Sequence, residues 1–204
     1  VQGAMFQAIS AGVDASEATQ FMEVASEAAV GGFTDMETAV DGLTNVVNAY
    51  GLSSEEARDI ANSTFAANKY GKTTFKEIAS SIGKVAPIAA SLGVDFDSLA
   101  ATIVATTKAG ISTKESVTGI RGALTNVIKP TKDAAKLAAD LGIEFSSSAL
   151  KAKGWHAFLS DIMAKTGGNT DALATLIPNV RGLATVMAAA SETGLKDMAV
   201  ALDD

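Results

Sequence analysis

The 204-residue sequence contains no cysteine, which excludes disulfide bridges and thiolate chemistry. A single histidine excludes zinc sites that need clustered His or Cys ligands. Aromatic residues make up only 5% of the chain, and there are three prolines, so little interrupts regular structure. The 48% apolar content is therefore mostly alanine with Leu, Ile and Val, and alanine is the best helix former. These scarcities predict an all-α fold.

Long hydrophobic runs are also lacking, although the mean hydropathy of +0.24 is high for a soluble chain. The most apolar stretch, 99–111, is short and contains Lys108. A classical membrane-spanning helix is therefore excluded, while membrane contact after rearrangement stays open. The net charge of −7 repels phosphate backbones, so no specific nucleic-acid binding is expected.

A short motif recurs along the chain instead: a glycine, an apolar residue, a small oxygen-bearing residue, and glutamate three places later. At Gly51 an apolar stripe with helical spacing stops, which is typical of a glycine in the left-handed conformation. Ser53 can then cap the next helix while Glu56 reaches back to the cap, forming a capping box. The expected boxes are Asp14/Glu17, Thr34/Glu37, Ser53/Glu56, Thr74/Glu77 and Ser112/Glu115, preceded by Gly12, Gly32, Gly51, Gly71 and Gly110.

Further glycines and prolines mark additional helix ends. Asp95 follows Gly93 as a cap without the glutamate, and Gly142 keeps only the turn. Pro87 should kink or split the helix after Thr74. Pro130 should end one helix and can open the next at its first position.

The recurring glycine and capping-box motif predicts a compact array of short antiparallel helices joined by glycine-capped turns, with no sheet. One helical domain over 1–204 is expected, with a possible division into lobes 1–92 and 93–204. Both termini resemble cuts, so we expect a fragment of a longer chain. Segment 146–154 reads as a loop or short turn, and the helix after it should bury Trp155, Phe158, Leu159 and Ile162 on one face.

Candidate catalytic and metal-binding residues are few. On a helix, His156 lies on the flank of the buried face and Asp161 on the far side, so they cannot form a relay with Ser160. Asp95 and Asp97 lack the glycine that a calcium loop needs, and the Glu55/Glu56 pair is explained by the helix dipole. No catalytic, cofactor-binding or metal-binding residue is therefore predicted, and no enzyme activity.

Segment 78–191 resembles the conserved helical region of TP901-type phage tail tape measure proteins, and the residues that carry the resemblance are 90–130, "ASLGVDFDSLAATIVATTKAGISTKESVTGIRGALTNVIKP". The resemblance rests on an ordered series of turns and on Arg121, and it continues in "LIPNVRGLATVMAAAS" with Pro178 and Arg181. Ile177 departs from the family by replacing its usual aromatic residue.

The resemblance implies a structural virion protein of a phage, prophage or tailocin that sits in the tail tube interior, templates tail length and assembly, and assists genome delivery. The implied partners are the tail tube protein, tail assembly chaperones and baseplate or tail-tip hub proteins, with homo-oligomers in the tail and host membrane contact during ejection. An alternative from the residues alone is a membrane-active helical protein, such as a pore former or secreted effector.

Overall fold

The computed structural model describes residues 2–203, which form fourteen α-helices and two short 3-10 turns and contain no strand. The all-α prediction is therefore confirmed. The helices are α1 (Gln2–Ser10), α2 (Ala18–Gly31), α3 (Met36–Tyr50), α4 (Ala57–Tyr70), α5 (Phe75–Ala79), α6 (Ala86–Ser91), α7 (Phe96–Lys108), α8 (Thr113–Ile128), α9 (Lys132–Asp140), α10 (Ser147–Lys153), α11 (Trp155–Thr166), α12 (Thr170–Leu176), α13 (Val180–Ala189) and α14 (Glu192–Leu202). The 3-10 turns are Ser54–Glu56 and Ile82–Lys84.

Helix α7 lies at the centre of the fold, and eleven of its thirteen residues are buried. Helices α4, α6, α8, α13 and α14 pack around it. Its buried threonines stay hydrogen-bonded: Thr106 Oγ1 donates to the Thr102 carbonyl at 2.8 Å, and Trp155 Nε1 donates to Thr102 Oγ1 at 2.9 Å. A nearly all-buried helix thus avoids orphaned hydroxyl groups on this face.

The N-terminal third is organised around α3, which contacts α1, α2, α4, α5 and α6. Buried apolar residues from Ala4 to Met198 belong to one core cluster. Within residues 2–203, 22 of the 57 buried apolar residues are alanine. Alanine lets helix axes approach closely but removes less apolar area from water per residue than leucine or phenylalanine.

The turn at Gly51 has the expected geometry. Gly51 is left-handed (φ +64°), and the Leu52 N–H donates to the Val47 carbonyl at 2.9 Å, as in a Schellman motif. The Ser53 N–H donates to Glu56 Oε2 at 2.7 Å and completes a capping box, although a 3-10 turn precedes α4. Thr74 and Glu77 form the second reciprocal box, ahead of α5.

Several other expected caps form in whole or in part. Asp95 accepts a hydrogen bond from the Ser98 N–H at 2.6 Å and caps α7. Ser112 caps α8, but Glu115 accepts from the Ser112 hydroxyl rather than from its N–H, so that box is incomplete. Left-handed glycines also occur at Gly12, Gly93, Gly110 and Gly142.

The expected box at Asp14 and Glu17 is wrong. Asp14 accepts instead from the Ser16 N–H at 2.8 Å and from the Ser16 hydroxyl, while α2 begins only at Ala18. Glu17 occupies the position before α2 and its side chain caps nothing. A serine two residues after an aspartate offers a local Asx turn that competes with the capping geometry.

The expected box at Thr34 and Glu37 is also wrong, and so is the left-handed role of Gly32. Gly32 has φ −86°, and the next residue, Phe33, takes the positive φ of 49°. The N-cap moves to Asp35, which accepts from the Thr38 N–H at 2.8 Å. Glycine is required at 32 because a Cβ there would lie 2.7 Å from the Ala28 carbonyl oxygen.

Gly71 ends α4 without a left-handed conformation, since its φ is −99°. A Cβ at Gly71 would lie 2.8 Å from the Ala67 carbonyl oxygen and 3.2 Å from Val104 Cα. The glycine therefore permits close approach to α7, a tertiary reason that local sequence does not carry.

The prolines act as breaks in different ways. Pro87 lies in the first turn of α6, and segment 75–91 is split into α5, a 3-10 turn and α6, as expected. Pro130 follows the end of α8 but does not open α9, because Thr131 is the N-cap and accepts from the Ala134 N–H at 3.1 Å.

The loop expected at 146–154 is wrong. Ser146 caps α10 by accepting from the Ala149 N–H at 3.2 Å. The face predicted for the next helix is confirmed: Trp155, Phe158, Leu159 and Ile162 are all buried.

Candidate functional site

The histidine is placed where it forms no catalytic relay. His156 Nε2 lies 3.4 Å from the Leu195 carbonyl oxygen. Asp161 is held elsewhere, 3.0 Å from Lys153 Nζ and 3.1 Å from Lys165 Nζ. Burial opposes ionisation of Asp161, but the hydrogen bonds from these two lysines outweigh it and lower its pKa. This aspartate is a stable acceptor for two cations.

The side chains of the other acidic residues considered for catalysis or metal binding already make structural hydrogen bonds. Asp95 caps α7, Asp97 accepts from the Ser63 hydroxyl, and Glu56 belongs to the box at Ser53. Hydrogen bonds from the Ser53 N–H and then its hydroxyl lower the pKa of Glu56. Within the described residues 2–203, no group of three His, Cys, Asp or Glu side chains could hold a metal ion.

A groove of about 570 Å³ lies between α4, α7 and the end of α14. Phe65, Ala101 and Leu202 contribute apolar walls. Ser63 and Asp97 line it as well, but they are hydrogen-bonded to each other. The groove therefore offers apolar contact, and the Ser63 hydroxyl in its wall is engaged with Asp97.

Among residues 2–203, every helix is too short or too polar to cross a bilayer.

Three residues of the family resemblance, Arg121, Pro178 and Arg181, lie on or beside the crossing helices α8 and α13. Arg121 lies on α8 and Arg181 in the first turn of α13, and both side chains are exposed. Pro178 precedes Asn179, which caps α13 by accepting from the Gly182 N–H at 2.8 Å. Proline before the cap is compatible with a chain that arrives extended.

The two helices approach almost backbone to backbone. A Cβ added to Gly119 would lie 1.9 Å from Thr185 Oγ1 and 2.6 Å from the Arg181 carbonyl oxygen. One added to Gly182 would lie 3.0 Å from the Ala123 nitrogen. Residue numbers rise along α8 as they fall along α13 in these contacts, so the helices are antiparallel. Gly119 and Gly182 permit this close crossing.

Sequence reasoning missed this pairing. Segments 120–125, "IRGALT", and 180–185, "VRGLAT", share the order of β-branched residue, Arg, Gly, two small or apolar residues and Thr. Each segment lies at the contact between α8 and α13. The similarity of the two Arg-Gly segments is the signal that could have predicted the pairing.

A smaller groove of about 180 Å³ lies beside the crossing. Ile111, Val180 and Ala184 give it an apolar lining, and Glu115 and Arg181 lie at its edge. Val180 is 79% exposed. This arrangement can receive an apolar side chain between two opposite charges, which is a binding capacity and not a catalytic one.

Comparison with known proteins gives the context of this arrangement. The profile of a family described as phage-related minor tail protein matches residues 1–177. A protein named tape measure protein, from Pneumococcus phage Dp-1, is 31% identical over 137 residues, which is 67% of this chain and 12% of that protein. A probable tape measure protein from Clostridium phage phiCD119 is 27% identical over 101 residues, 48% of this chain and 11% of that protein. The matched segments thus span about an eighth or less of these relatives' length. No solved structure matches the chain.

Proposed function

The chain belongs to the phage-related minor tail protein family, and on that premise we propose that it is a segment of a tail tape measure protein. The observation that carries the proposal is the family match over residues 1–177, joined by two relatives that bear the name tape measure protein. The segment is structural and not enzymatic in this proposal, which agrees with the structural occupation of Glu56, Asp95 and Asp161.

The proposed place of the segment is the interior of the tail tube, where it helps template tail length and assembly and then assists genome delivery. Its architecture supports an element that can be drawn out, because the longest helix, α8, has only 16 residues. Short helices joined by turns can separate one at a time, whereas a long continuous helix cannot. A net charge of −7 reduces adhesion to DNA that travels through the same channel.

The partners in this proposal are the tail tube protein, tail assembly chaperones and baseplate or tail-tip hub proteins, and several copies of the chain share one tail. The narrower assignment to the TP901 type stays a prediction, as does the division into lobes 1–92 and 93–204.

The test is an in-frame deletion of residues 1–204 from the phage gene that encodes them, followed by measurement of tail lengths by negative-stain electron microscopy. At 1.5 Å per helical residue, the segment accounts for roughly 300 Å of ruler. Tails shorter by that length are the expected result. Tails of unchanged length that still infect would contradict the proposal.

An in-frame duplication of the same residues is the matched control. If the segment acts as a ruler, the duplication should lengthen tails by roughly the same 300 Å. Loss of all tails in the deletion, together with unchanged length in the duplication, would instead assign the segment to assembly and refute the ruler role.

A further inference from the structure

Segment 131–177, which holds α9, α10, α11 and α12, has a similar backbone step at each of its ends. Lys129 follows α8 and precedes Pro130, while Ile177 follows α12 and precedes Pro178. Lys129 has φ −133° and ψ 74°, and Ile177 has φ −122° and ψ 79°. A residue that precedes proline avoids the helical region, which explains why α8 and α12 stop at these steps. We call segment 131–177 the inserted unit.

Helices α8 and α13, which flank the inserted unit in sequence, cross each other directly. A Cβ at Gly182 would lie 3.0 Å from the Ala123 nitrogen, and one at Gly122 would lie 2.8 Å from Asn179 Oδ1. The chain therefore leaves this crossing along α8 and returns to it at Asn179. Because the crossing holds both ends of the inserted unit, the unit can move without separating α8 from α13.

Contacts within the inserted unit connect its four helices. Helix α9 packs on α12, and α10 packs on α11. The turn after α9 joins the two pairs, because Lys165 Nζ on α11 donates to the Gly142 carbonyl at 2.5 Å. Lys153 on α10 pairs with Glu144 of the same turn at 3.1 Å. Asp161 then accepts from Lys153 at 3.0 Å and from Lys165 at 3.1 Å. The unit can therefore move as one body with these contacts intact.

The inserted unit docks on α7 through the single tryptophan of the chain. Trp155 is 2% exposed, and its Nε1 donates to Thr102 Oγ1 at 2.9 Å. A longer contact places His156 Nε2 3.4 Å from the Leu195 carbonyl oxygen on α14. Trp155 belongs to the common core cluster, so the docked position is the stable one. A buried indole N–H needs an acceptor, and Thr102 supplies it.

We propose that the inserted unit undocks from α7 as one body, turning about the two proline steps while the crossing of α8 and α13 stays closed. A hinge needs only a few residues at the ends of elements to absorb the change in backbone angles, and Lys129 and Ile177 lie at such ends. Undocking exposes Trp155 and the Thr102 side of α7. The inference rests on contacts within this chain and not on the proposed function, so either can fail without the other.

The test is hydrogen exchange of the whole 204-residue chain, read by mass spectrometry at urea concentrations below the unfolding transition. Amides of α9, α10, α11 and α12 should lose protection together, and before those of α8 and α13. Trp155 is a built-in second probe, because its fluorescence moves to longer wavelength when the ring meets water. That shift should precede the unfolding transition followed by far-UV circular dichroism, since two probes coincide only when the chain opens as one unit.

A pair of valine variants on α7 tests the docking contact. Thr102→Val removes the acceptor of the indole N–H and should speed exchange of the α9–α12 amides about tenfold, as expected when a buried donor loses its partner. Thr106→Val is the matched control. Each variant also loses one bond within α7, from Thr102 Oγ1 to the Ser98 carbonyl or from Thr106 Oγ1 to the Thr102 carbonyl. Thr106→Val should leave exchange in the inserted unit unchanged.

Three results would overturn the proposal. The first is fluorescence and circular dichroism transitions that coincide, with α8 and α13 exchanging at the same urea concentration as the inserted unit. The second is loss of protection in α10 and α11 while α9 and α12 stay protected, because the unit would then not move as one body. The third is an equal effect of the two valine variants, because the contact between Trp155 and Thr102 would then not hold the unit in place.

Discussion

The close crossing of α8 and α13 makes Gly119 a sensitive test of the packing. In Gly119→Ala the new methyl group would lie 1.9 Å from Thr185 Oγ1 and 2.6 Å from the Arg181 carbonyl oxygen. A hydroxyl can rotate away, but a backbone carbonyl cannot, so α13 must move. Alanine gains about 1 kcal/mol of helix propensity over glycine. Overpacking costs typically about 1–3 kcal/mol, and backbone involvement places this site at the upper end. The net loss should be about 2 kcal/mol, which lowers the Tm of a chain this long by roughly 4–8 °C.

Thermal unfolding followed by far-UV circular dichroism measures this effect. Gly3→Ala is the matched control, because its nearest neighbour would be Glu37 Oε1 at an ordinary 3.5 Å, and its Tm should not fall. Adding Thr185→Ala to Gly119→Ala should recover only part of the loss, since the Arg181 carbonyl remains in the way. A Gly119→Ala chain that melts at or above the wild-type Tm would refute the close crossing.

Two further predictions concern helix caps. Thr74→Ala should cost about 1 kcal/mol by removing the cap of α5, whereas Thr34→Ala should change little, because the buried Thr34 hydroxyl has no hydrogen-bond partner among the described residues. Equal losses of stability in urea unfolding would contradict this difference. The pKa of Glu56 lies below its ordinary value, so its cap contributes to stability above about pH 4.3 and loses that contribution as the pH falls through the lowered pKa. The stability difference between wild type and Glu56→Gln should therefore shrink as the pH falls through the lowered pKa, and an NMR titration that places the Glu56 pKa at or above about 4.3 would argue against it.

The sequence predicted those turns whose causes are local. At Gly51, Ser53 and Glu56 the left-handed turn and the box depend on neighbouring residues alone, and both form. At residues 32–35 two local solutions compete, and Asp35, a stronger cap than threonine, wins one position later. The same competition occurs at Asp14, where Ser16 captures the carboxylate.

The remaining features depend on contacts between residues far apart in sequence. Gly71 is required by the approach of Val104, and Gly119 by Thr185, and no local pattern contains those partners. The sequence did not predict that the Phe33 side chain would be 95% exposed, because helix patterning assigns an apolar residue to the core by default. The prediction that no residue is catalytic rests on the shortage of histidine and cysteine, and the side chains of Glu56 and Asp161 are held by structural contacts.

The burial of α7 by α14 has a consequence for synthesis on the ribosome. Lys108 at the end of α7 pairs with Asp197 on α14, and Met198 beside it is fully buried. Translation of the intervening segment 109–191, at roughly 5–20 residues per second, takes roughly 4–17 s. During that interval the face of α7 that α14 covers in the folded chain stays exposed. The nascent polypeptide thus passes through an aggregation-prone stage that ends only when α14 emerges, and a holding factor present during translation would shorten that exposure.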